Sequence, residues 1–191
     1  MNFIAMRSAQ ELILDIKSAR GAYLGQLAAI SDAAAVWKSS PDSWNVTEVT
    51  EHLFWAEFNG LSGMWAALED LRSGRMARTY ESPHRDMSIE EVIERTWQPK
   101  EKAPEGAGPH RGGSLAFWRQ SLHGLQGVLD AFGAELKPDE LRLQAFPHPI
   151  SGALDFHQRL EFLRFHLQRH HQQVARILRL QREQAIGTAD L

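Results

Sequence analysis

The sequence contains no cysteine. A disulfide scaffold, a thiolate zinc site and a cysteine nucleophile are therefore excluded, and any thiol chemistry has to use a thiol brought from outside. An excess of either charge is also missing. Lys plus Arg number 21 against 24 Asp plus Glu, a formal net charge of −3, which excludes a nucleic-acid binder that works by bulk electrostatics. No stretch reaches the roughly 18 apolar residues of a membrane span, and the N-terminal MNFIAMRSAQELILDIK lacks the unbroken apolar core of a signal peptide. The expectation is a cytoplasmic protein with neither nucleic acid nor membrane as partner. Runs of alternating apolar and polar residues are absent as well, which argues against a sheet.

What is present fits one globular domain over residues 1–191, with 43% apolar and 24% charged residues. Two residue types stand out, nine histidines and six tryptophans, and five of the histidines follow residue 147. Helical periodicity runs through most of the chain. Ser8 with Glu11 reads as a capping box for a first helix that carries Leu12, Ile16, Tyr23, Leu27 and Ile30. A second helix starts near Asn45, with Glu48 as the reciprocal cap, and runs to about Arg72 before Ser73-Gly74. A third runs from Ser114 to a stop at Gly133, and the last from near Asp155 to about Gln184. Between the second and third helices lies a long insert, 73–113, which holds Pro99, Pro104 and Pro109 and a short amphipathic helix from Ser88. The pattern predicts an all-α four-helix bundle with a crossover connection between helices 2 and 3.

On a helix, His166 and His170 fall about 40° apart on the apolar face, one turn from each other, a spacing at which two imidazoles reach one metal ion. His52 on the second helix offers a third nitrogen. Its face at one-turn spacing carries Val49, Ala56, Asn59, Gly60 and Gly63, mostly small residues that leave open volume beside the imidazole. His157 falls on the solvent side of the last helix and His123 off the apolar stripe of the third. The arginines of the last helix, Arg159, Arg164, Arg169, Arg176, Arg179 and Arg182, read as a solvated face, with a surface for an anionic partner as the weaker alternative. Leu167 occupies the position of the glutamate in H-E-x-x-H, so the histidine pair does not signal a metalloprotease.

Three motifs in order complete the reading. W-x-x-x-E-x-x-x-H-L (Trp44, Glu48, His52, Leu53), H-P-x-x-G-x-L (His148 to Leu154) and H-x-x-x-H-x-x-Q (His166, His170, Gln173) together resemble the DinB/YfiT-like superfamily. The resemblance implies a four-helix bundle, often a homodimer, that binds a divalent metal through His52, His166 and His170. Zinc or nickel is the expected ion, with manganese or iron as alternatives. It further implies either a hydrolase or a transferase that uses a low-molecular-weight thiol, acting on a small molecule, with ion-bound water or thiolate as the reactive group. Glu48 and Asn59 are candidates for supporting the ligands or touching substrate, with a helix-capping role favoured for Glu48. The competing reading is a non-catalytic dimeric bundle, a binding or stress-response protein whose metal site is structural or vestigial.

Overall fold

The structure, a computed structural model, describes residues 7–78, 82–98, 102–104 and 106–189, with side chains as far as residue 187. Pro99 and the first six residues of the N-terminal segment lie outside the described residues. Among the described residues six α-helices form: α1 (Ala9–Leu27), α2 (Asp32–Ala35), α3 (Val46–Arg72), α4 (Ile89–Thr96), α5 (Leu115–Glu135) and α6 (Phe156–Ala189). Among the described residues there is no strand, and two isolated bridges, Gln144 with Asp155 and His148 with Gly152, brace the loop before α6. No described helix is long and apolar enough to cross a membrane.

Helix starts follow their capping chemistry. Ser8, Asn45 and Ser88 each accept the N–H of a glutamate three residues on, and Glu11, Glu48 and Glu91 each return the bond. Helix ends depart further from expectation. The first helix stops at Leu27, before Ile30, and a four-residue helix capped by Ser31 follows it. Gly133 does not end α5, which continues to Glu135. A Cβ at Gly133 would collide with Ile13, so this glycine permits close packing of α1 on α5. The last helix likewise runs past Gln184 and Gly187 to Ala189.

α1, α3, α5 and α6 make the bundle, with α1 and α3 each packed on both α5 and α6. Their apolar faces share one core that includes Ile16, Tyr23, Leu53, Met64, Leu122 and Phe156. Each such side chain contributes roughly 1.5–3 kcal/mol by leaving water. α3 and α5 run in the same direction: Phe54, early in α3, meets Trp118, early in α5, and Arg72 at the end of α3 reaches Glu135 at the end of α5. The chain between them must return along the bundle, which accounts for the length of the insert.

The insert is pinned at both ends. Its helix α4 buries Ile89, Val92 and Ile93 against Leu154 and Phe162. Gln158 of α6 donates to the carbonyls of His84 and Met87, and Trp97 Nε1 donates to Ser151 Oγ at 3.0 Å. At the other end, the Glu51 carboxylate of α3 accepts the backbone N–H groups of His110, Arg111 and Gly112. These bonds hold the insert over one side of the bundle, beside the histidines.

Candidate metal centre

α3 and α6 run antiparallel and bring His52 against His166 and His170. All three are buried, and one ligand atom from each lies within 4.8 Å of the others. His166 Nε2 is 3.2 Å from His52 Nε2 and 3.0 Å from His170 Nε2. His52 Nδ1 donates to the Ala107 carbonyl at 2.7 Å, and His170 Nδ1 donates to Gln173 Oε1 at 2.6 Å. Both partners are oxygens that can only accept, so both protons must sit on Nδ1.

This proton placement fixes what the centre can do. A neutral imidazole carries one ring proton, and for His52 and His170 it points outward. At most one proton, that of His166, is left for three converging Nε2 atoms, and it can bridge only one pair. Burial, before any other influence, lowers the pKa of each ring: below its ordinary value for His52, well below for His166, and to about 3 for His170. The cluster is thus neutral, rich in lone pairs and short of donors. A cation answers that shortage, and carbonyl or amide oxygens on the outer nitrogens are the usual way such ligands are oriented. The donor set fits a divalent ion.

The cluster borders a cavity of about 880 Å³. Trp44, Phe162 and Leu163 give it apolar wall, and Trp97, Ala103 and Ala107 of the insert close one side. Phe162 is the hinge of an aromatic array: its ring centroid is 4.3 Å from that of His148, 5.3 Å from His166 and 5.9 Å from Trp97.

The other candidates separate clearly. Glu48 caps α3 and pairs with Lys38 at 2.8 Å. Asn59 borders the cavity, and its Nδ2 donates to the Gly106 carbonyl, tying down the insert. Trp65 packs edge-on against Phe132, and Trp55 stacks on His110. His123 is exposed, but His157 is not on a solvent face: it is half-buried, 3.6 Å from Glu161, because the start of α6 is covered on nearly every side. The space beside His52 is also partly taken. A Cβ at Gly63 would strike the Phe146 ring, and one at Gly60 would lie 3.0 Å from Arg159 Nη2.

Two residues escape the sequence pattern. Glu51 is 1% exposed and stands immediately before His52, yet its partners are some 60 residues away in the insert. Arg159 is 3% exposed rather than solvated. The signal that could have found it is angular: seven residues before His166, it stands about 20° from that histidine around the helix.

The model of the DinB superfamily matches residues 15–174. The chain belongs to this superfamily, and the histidine cluster lies inside the matched span. No curated protein matches the chain.

Proposed function

We propose that the chain is a metal-dependent enzyme that acts on a small molecule in this cavity, with His52, His166 and His170 holding one divalent ion. The observation that carries the reading is the convergence of three Nε2 atoms with at most one proton among them, at the edge of a cavity of about 880 Å³. Nitrogen donors without a carboxylate favour zinc or nickel over manganese or iron. Held there, the ion would polarise a substrate oxygen and acidify water or a low-molecular-weight thiol, the chemistry of a hydrolase or a thiol transferase.

The chain's own residues do the rest. Ala107 and Gln173 fix the outer protons of His52 and His170, so the inner lone pairs stay aimed without reorganising. Trp97 and Phe162 keep bulk water from the apolar side. The volume stands at the upper end for small-molecule sites, which suits a substrate together with a thiol cosubstrate as well as one larger ester. A structural metal site would be closed by protein atoms; a cavity against the ligands favours the enzyme.

Elemental analysis tests the ligand set. We expect near one ion per chain in the purified wild type and none in His52→Ala or His166→Ala, with far-ultraviolet circular dichroism unchanged. Full occupancy in His166→Ala would overturn the assignment. A wild type that refuses added zinc and nickel would remove the enzyme reading. Ester-hydrolysis and thiol-transfer screens of the loaded protein then separate the two chemistries.

A further inference from the structure

The cavity holds a second unsatisfied group. Arg159 Nε and Nη1 are buried without a hydrogen-bond partner among the described residues. The guanidinium lies over the Phe162 ring, 5.8 Å from its centroid, and among the described residues no carboxylate forms an ion pair with it. Burial brings its pKa down only to about 10, so it stays charged at neutral pH. A buried charge with no counterion among the described residues carries a large solvation cost. A counterion that arrives with a ligand removes that cost.

Three further observations point the same way. Gly60 leaves the space that Nη2 occupies, since a Cβ there would sit only 3.0 Å away. The described charged residues that border the cavity are Lys102, Arg159, Arg169 and Arg176 against a single acid, Asp42. Phe162 also measures the distance to the histidines. Its centroid is 5.8 Å from the guanidinium carbon and 5.3 Å from the His166 ring, which puts Arg159 within about 11 Å of that imidazole.

We propose that Arg159 is the anion-binding residue of this cavity: it takes the carboxylate or phosphate of a small organic acid whose reacting end lies at the histidine cluster. The planar guanidinium matches either group through paired N–H bonds. The cationic rim of Lys102, Arg169 and Arg176 draws the same ligand in. This assignment rests on the reading of the cavity as a substrate site.

The test is thermal denaturation in inorganic phosphate and in succinate, with ionic strength held constant by sodium chloride, alongside zinc uptake. The wild-type melting temperature rises with phosphate or succinate but not with chloride, and the stronger arm names the anion class. Arg159→Met weakens that response roughly tenfold or more while zinc uptake stays at the wild-type level. In chloride alone Arg159→Met melts at or above the wild-type temperature, because an uncompensated buried charge is gone; an arginine with a purely structural role would make the variant less stable. Should Arg159→Met fail to fold, Arg159→Lys keeps the charge without the fork and still weakens the response. An unchanged response in the folded variant, or no wild-type response to either anion, overturns the proposal. His52→Ala separates the two readings: it loses zinc and keeps the anion response. A wild type without zinc but with an Arg159-dependent anion response would remove the metal and leave the anion site standing.

Discussion

At the scale of single residues, His148 gives a titration that can be followed. It is 8% exposed, and its Nδ1 accepts the N–H groups of Ile150 and Ser151 at 3.2 and 3.1 Å. Burial, and then the nearby Arg159 charge, lower its pKa from 6.5 to about 3. Between those values the unfolded chain binds a proton that the native protein refuses. Stability is therefore complete above about pH 6.5 and declines as pH falls toward 3, by up to about 1.4 kcal/mol per pH unit for this group. His148→Asn, whose Oδ1 can take the same two bonds without titrating, should lose less melting temperature than the wild type between neutral pH and about pH 4. Equal losses would assign the acid sensitivity to other groups.

The same scale shows what a sequence reveals. His166 and His170 declare themselves because one-turn spacing and an apolar stripe are local properties. Glu51 and Arg159 do not, because a charged side chain on a helix is solvated by default and only distant chain can bury it. Glu51 is buried by residues 110–112 and Arg159 by packing across to Gly60. Gln158, also in a run of polar residues, is 2% exposed because it holds the carbonyls of His84 and Met87.

At the scale of elements, helix starts are legible from capping residues while helix ends are not. Gly133 and Gly187 have the composition of stops, yet tertiary packing and helix continuation override them. The insert shows the limit most plainly. Its short helix is written in the sequence by Ser88 and Glu91, but its attachment to the bundle depends on bonds to Glu51, Ser151 and Gln158. Removal of the Glu51 carboxylate leaves three backbone donors without their acceptor. Glu51→Ala should cost about 3 kcal/mol and should speed amide hydrogen exchange at residues 110–112 first. If those amides keep their protection, the carboxylate is not the clasp.

At the scale of the whole molecule, a polar link crosses the core. Arg20 of α1 bonds Glu57 of α3 and Gln126 of α5, with Arg20 and Glu57 at 2% exposure each. Two buried charges are costly together and costlier apart. Glu57→Ala, which strands the Arg20 charge, should destabilise by about 3–5 kcal/mol, whereas Arg20→Met with Glu57→Leu should cost far less or nothing. Chemical denaturation of the three proteins measures it; a double variant as unstable as the single would mean the pair itself carries the stability.

The Ala107 carbonyl has a consequence beyond orienting one ring. It belongs to the insert, which also supplies a wall of the cavity, so one piece of chain both bonds His52 and lines the cavity, and under the proposed function it would touch a metal ligand and the substrate at once. Selection on this loop for a new substrate would act at the same time on the basicity of His52. If the proposed function holds, specificity and metal affinity would be inherited as one trait, and relatives with different inserts should differ in both.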